Sequence, residues 1–138
     1  ARVSGPLLDR IDVRIEVPAV TAADLIGPAA SESSAAVAER VAAARAIQQR
    51  RFLDLGLPCR TNAQAPASVV ETMASPDDNG LAFLREVAER MALSARGYHR
   101  VLKLARTLAD LDGLEKVGRI HLAEALSYRG EDLSRKAA

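Results

Sequence analysis

Hydrophobic and polar positions change period once along this chain. Residues 12–17, Asp-Val-Arg-Ile-Glu-Val, alternate strictly and put Val13, Ile15 and Val17 on one side. That is the pattern of a half-buried strand, and Pro18 ends it. No other segment offers a partner. A lone strand leaves its backbone donors and acceptors unpaired, so its sheet is expected to lie outside the chain, with residues 1–20 closing an upstream domain. From about residue 33 onward the apolar positions follow the helical period instead.

Residues 21–36 are rich in Ala and Ser and read as loop-like, with a linker over 21–32. After Gly27-Pro28 a long helix is expected from about Ser34 to Leu53, closed by Gly56 and Pro58. Val37, Val41, Ala44 and Phe52 share one side of it, and Gln48 falls in the middle of that side between Arg45 and Arg51. That trio is open to two readings, a polar rim around a helix–helix contact or a seam facing a partner. A shorter helix starts at Pro66, where a missing N–H costs nothing, and ends near Ser75. Asp77 or Asp78 caps a third helix to about Met91, with Leu81, Leu84, Val87, Ala88 and Met91 as its stripe. Ser94 caps a fourth, ended by Gly113, whose inner face is Tyr98, Val101, Leu102, Ala105, Leu108 and Ala109. A last helix covers roughly Arg119 to Tyr128, with a flexible tail over 130–138. The fold class is all-α, a small bundle of about four to five helices over 33–129, preceded by one orphan strand.

Composition agrees with a helical bundle. The chain has 138 residues, 49% hydrophobic and 27% charged, enough for one domain with a true core. Aromatics make up only 3% and Ala is abundant, which disfavours a sheet protein. Nineteen basic against eighteen acidic residues leave a charge of +1, so any nucleic-acid contact has to come from a local patch. The lone Cys59 excludes an internal disulfide and fits a reducing, cytoplasmic compartment. No apolar stretch approaches the roughly 18 residues of a membrane span, and no membrane partner is expected. Without an initiator Met or a signal pattern, the chain reads as part of something longer.

One local patch stands out. The fourth helix carries Arg96, Arg100 and Lys103 opposite its core stripe, with His99 and Arg106 at the edges, and no acid interrupts the run before Asp110. A solvated basic face explains this, and so does a phosphate site. Arg96 lies in the first turn, where the helix dipole prefers an acid, and a bound phosphate would relieve that conflict. Arg10, between Asp9 and Asp12, is either a surface ion pair or an arginine completing a neighbour's phosphate site. His99 and His121 lack companions for a metal and read as polar surface or rim residues. Cys59 has no evident base partner, and Ser94 is a cap rather than a nucleophile. No Gly-rich phosphate-binding loop and no acidic Walker B segment is present, so no metal is expected and the chain has no hydrolytic machinery by itself.

Several stretches, in order and spanning nearly the whole chain, resemble the C-terminal lid region of magnesium chelatase-like AAA+ ATPases of the ComM/YifB type. They are Ser4-Gly-Pro-Leu-Leu-Asp-Arg-Ile-Asp12, Ala44-Arg-Ala-Ile-Gln-Gln-Arg-Arg51 with Asn62-Ala-Gln64, Leu93-Ser-Ala-Arg-Gly-Tyr-His-Arg100 running on to Leu111, and Ile120 to Arg129. The resemblance implies that residues 12–17 are the last strand of an ATPase core and that a helical lid follows. It implies that Arg10 is the arginine finger, reaching the adjacent subunit's site, and that Arg96 is sensor 2, set against the ATP phosphates. The implied cofactor is ATP with Mg2+ in the full-length parent, with none bound tightly by this chain. The implied partners are further copies in a homo-oligomer, a hexamer by analogy, and DNA handled by the parent, as in branch migration. On its own the chain is expected to be monomeric or to self-associate weakly through residues 12–17. A different reading remains beside this one, a stand-alone helical module binding nucleic acid through Arg100 and Lys103, or protein through Arg45, Gln48 and Arg51.

Overall fold

Side-chain caps set where the helices begin. The computed structural model describes residues 5–8, 10–28 and 32–129, and the structural statements here concern those residues. In chain order the helices are α1 (Gly5–Leu8), α2 (Ala22–Ile26), α3 (Ser34–Asp54), α4 (Val70–Ala74), α5 (Asp78–Met91), α6 (Ala95–Leu111) and α7 (Arg119–Ser127). Short 3-10 turns at Asn62–Gln64 and Ala67–Val69 lead into α4. Ser33, Asp77 and Ser94 accept hydrogen bonds from the amides of Ala36, Gly80 and Gly97 at 3.2, 2.7 and 3.0 Å, opening α3, α5 and α6. Gly56 and Gly113 leave their helices at φ +65 and +68. Ser75 and Ala92 take the same left-handed region without being glycine.

The core forms around α6, which packs against α3, α4, α7 and the 62–64 turn, while α5 packs on α7. Ala105 and Ala109 on α6 are fully buried, small enough to let α7 approach with Leu122 and Leu126. Phe52 closes the α3 side and Val70 the α4 side, both fully buried. Val117 is fixed by two backbone bonds, accepting from Asp77 N at 3.0 Å and donating to Ser75 O at 3.3 Å. The stripe read on α3 divides. Ala44, Gln48 and Phe52 are buried, whereas Val37 and Val41, a turn or more earlier, are 38% and 44% exposed. The N-terminal half of α3 therefore extends beyond the body that covers its C-terminal half.

Two expectations change. Residues 12–17 form no strand; Val13, Ile15 and Val17 are 45%, 68% and 81% exposed. The alternation is real, but a strand needs a partner to exist, and none is available among the described residues. The stretch read as loop-like contains α2, opened by a reciprocal cap in which Asp24 N donates to Thr21 Oγ1 at 3.3 Å and Thr21 N to Asp24 Oδ2 at 2.8 Å. Its Leu25 and Ile26 are 77% and 87% exposed. The 130–138 tail and residues 1–4, with Asp9, lie outside the described residues.

Candidate functional site

The first turn of α6 carries the chemistry of interest. Gly97 is buried there, and a Cβ at that position would lie 3.2 Å from Ser94 Oγ and 3.4 Å from Arg129 Nη2. Beside it Arg96 is exposed, and among the described residues its guanidinium has no hydrogen-bond or ion-pair partner. Arg96, His99, Arg100, Lys103 and Ala67 line a hollow of about 300 Å³. A second hollow of about 180 Å³, lined by Asp12, Ala63, Arg100, Lys103, Leu104 and Thr107, shares Arg100 and Lys103 with it. His99 is half-buried, with its ring 5.7 Å from that of Tyr98. Three cations around one concave surface attract an anion, and only Arg96 is unengaged.

Arg100 and Lys103 are already held. Arg100 Nη1 donates to the carbonyl of Arg10 at 2.6 Å and pairs with the Asp12 carboxylate. Lys103 Nζ donates to the carbonyl of Ala63 at 3.0 Å. Arg10 is exposed, on a turn closed by its amide bonding to Leu7 O at 3.0 Å. Two residues beyond Asp12, Arg14 N donates to Tyr128 O at 2.6 Å, so the extended segment is attached to the end of α7 as well.

Arg106 is not an edge residue of this face; it is 1% exposed. Its Nε bonds Asp110 at 3.1 Å, Nη1 bonds Glu115 O at 2.6 Å and Nη2 bonds Leu114 O. Burial pushes the guanidinium below the usual arginine range, and the Asp110 charge opposes that shift. Asp110 also receives Arg51 through both terminal nitrogens, one at 2.9 Å, and Asn62 Nδ2 at 2.8 Å. Asn62 N in turn donates to Gln48 Oε1 at 3.2 Å. Gln48 and Arg51 thus belong to a polar network inside the bundle, while Arg45 is exposed.

His121 is buried at 2% exposure rather than on the surface or rim. Its Nδ1 accepts from Gly118 N at 2.9 Å, and its Nε2 lies 3.0 Å from Asp112. With Nδ1 accepting, the hydrogen-bond pattern assigns the proton to Nε2, which donates to the carboxylate. The spacing held the signal: His121 stands three residues after the cap, where a side chain reaches back to the cap amide. Cys59 is half-buried, with Sγ 3.5 Å from Gln64 O. Among the described residues no group of three His, Cys, Asp or Glu could hold a metal. No helix there is long and apolar enough to cross a membrane.

Residues 31–129 match the family model described as "Magnesium chelatase, subunit ChlI C-terminal". The chain is 40% identical over 129 residues to the "Competence protein ComM" of Haemophilus influenzae, covering 93% of this chain and 24% of that protein. It is 36% identical over 132 residues to the "Uncharacterized protein YifB" of Salmonella typhimurium, covering 95% and 25%. To the "Uncharacterized protein Mb2921c" of Mycobacterium bovis it is 37% identical over 128 residues, covering 93% and 25%. It spans about a quarter of the length of these relatives. A helical bundle with this match over most of its length belongs to the magnesium chelatase C-terminal family, as the lid-type C-terminal region of ComM/YifB-type AAA+ proteins.

Proposed function

We propose that the bundle is the phosphate-sensing lid of an ATP-driven homo-oligomeric motor, in which Arg96 contacts the phosphates of ATP and Arg10 enters the neighbouring subunit's site. The observation that carries this reading is the exposed, unpartnered Arg96 guanidinium at the N-terminus of α6, inside a hollow with two further cations. An arginine there opposes the helix dipole, and a phosphate satisfies guanidinium and helix terminus together. The donor set fits phosphate oxygens. Among the described residues no group of three His, Cys, Asp or Glu could hold Mg2+, and in this proposal its ligands would come from elsewhere in the full-length protein. ATP would supply the phosphoryl group; the lid's own residues would bind, orient and sense it. Both arginines would act on charge spread over the transferring γ-phosphoryl.

We further propose DNA as the substrate of the full-length protein, a reading supported by the likeness to a protein named for competence. A nucleic-acid module built on Arg100 and Lys103 alone has less to draw on, because both are held by Asp12 and by backbone carbonyls. The test is ATP turnover and ATP binding by the full-length protein carrying Arg10→Ala or Arg96→Ala. Arg10→Ala is expected to cut turnover by at least about 100-fold while largely sparing ATP affinity. Weakened affinity with undiminished turnover at saturation refutes the finger assignment.

A further inference from the structure

Arg100 shares the basic face of Arg96, but its bonds go to protein groups rather than to an open phosphate site. Its Nη1 reaches both the carbonyl of Arg10 and the carboxylate of Asp12, across about ninety residues of sequence. It stands one helical turn after Arg96 on α6 and lines the same hollow. One side chain therefore touches the segment that presents Arg10 and borders the site where Arg96 is exposed. The Arg14–Tyr128 backbone bond holds the same segment a few residues further on.

We propose that Arg100 is a positioning residue, a clamp with Asp12 that links phosphate occupancy beside Arg96 to the placement of the Arg10 loop. The proposal rests on the lid reading above. An anion in the hollow draws on the Arg100 guanidinium in competition with Asp12, so its binding free energy depends on how the Arg10 segment is held. By linkage the dependence is reciprocal: whatever engages Arg10 alters phosphate affinity at Arg96. The largely exposed pair, 27% exposed on the Arg100 side and 56% on the Asp12 side, is of a strength that biases the loop and still opens.

Asp12 makes the proposal testable, because a carboxylate cannot itself bind phosphate. In the full-length protein, Asp12→Asn and Arg100→Gln are each expected to lower kcat roughly tenfold, with ATP bound roughly threefold more tightly in Asp12→Asn, where Arg100 is released to the anion, and more weakly in Arg100→Gln. In kcat, the double variant is expected to be no worse than Arg100→Gln, which already removes the contact that Asp12→Asn weakens. Hydrogen exchange on the 138-residue chain gives a readout independent of ATP. The Arg10 and Arg14 amides, bonded to Leu7 O and Tyr128 O, should lose protection roughly tenfold in either variant. Arg100→Gln weakening ATP binding while Asp12→Asn changes neither kcat nor exchange would make Arg100 a phosphate ligand and overturn the clamp. Lost protection with unchanged kcat overturns the coupling and leaves the lid reading standing. Wild-type turnover and ATP affinity in Arg96→Ala overturns the lid reading itself.

Discussion

Asp110→Asn is the most informative single change in the bundle. Its carboxylate is fully buried and collects Arg51 through two nitrogens, Asn62 Nδ2 and Arg106 Nε. The amide keeps the shape and removes the charge, and it turns an NH2 group toward donors that have no use for it. Arg51 is 18% exposed and can turn to water, whereas Arg106 is 1% exposed and cannot. The cost is therefore set by one uncompensated buried guanidinium, about 3–5 kcal/mol. That is a large share of the roughly 5–15 kcal/mol by which domains are stable. Urea unfolding followed by circular dichroism should show the midpoint falling at unchanged slope.

The stranded Arg106 cation has a second consequence. Adding Arg106→Met to Asp110→Asn removes the stranded cation, so the double variant should lose less than the sum of the singles by at least about 1.5 kcal/mol. Strict additivity, or an Asp110→Asn loss below about 1 kcal/mol, would refute the account of a buried and mutually dependent network. An exposed pair such as Arg50–Asp54, 80% and 61% exposed, should be nearly silent when Arg50 is replaced by Ala.

Three further outcomes follow from backbone and titration. Gly80→Ala puts a Cβ 2.8 Å from Val117 O and should cost about 1–3 kcal/mol despite the better helix propensity of Ala. Ala92→Gly instead relieves φ 46 at the end of α5 and should gain about 0.5–1 kcal/mol; a loss there would mean that the left-handed cap is unstrained. Burial, helped by the Glu71 carboxylate, raises Tyr98 above its usual 10.0. The unfolded chain then releases its proton first, so this contribution is intact below pH 10.0 and is lost as pH rises through the folded value. Tyr98→Phe should flatten the alkaline decline in unfolding free energy, and an identical decline in the variant would disprove the assignment.

What was legible in the sequence depended on range. Caps and stops act within a few residues, and Ser94, Asp77, Gly56 and Gly113 all mark their helices where the local pattern puts them. Arg106 misled because its partners are remote: the carbonyls of Leu114 and Glu115 become neighbours only when the chain folds back after Gly113. A clue existed in Asp110, the acid four residues on that ends the basic run, a spacing that pairs charges on one helix face. Its burial was invisible, since it depends on Arg51 from α3 and Asn62 from the intervening turn. Asp12 with Arg100 is the same problem across the greatest separation, and no periodicity connects them.

The two ends of α6 are built for different tasks. At its C-terminal end, Arg106 and Asp110 join α6 to α3, to the turn at Asn62 and to the loop before α7 through buried and part-buried hydrogen bonds. At its N-terminal end, one turn holds an unpartnered Arg96 and the next holds Arg100 on a segment that is otherwise exposed. A helix of 17 residues, about 25 Å long, fixed at one end and free to answer a ligand at the other does not bend cheaply. On the lid reading, a pull at Arg96 moves the bundle as a unit, and compliance is left to what surrounds it. Those surroundings are the exposed apolar residues from Ile11 to Ile26 and the uncovered half of α3 at Val37 and Val41. Charge removal in the buried network should therefore weaken the fold, and charge removal at Asp12 should weaken only communication. That separation of stability from coupling is the sharpest consequence of placing the two clusters at opposite ends of one helix.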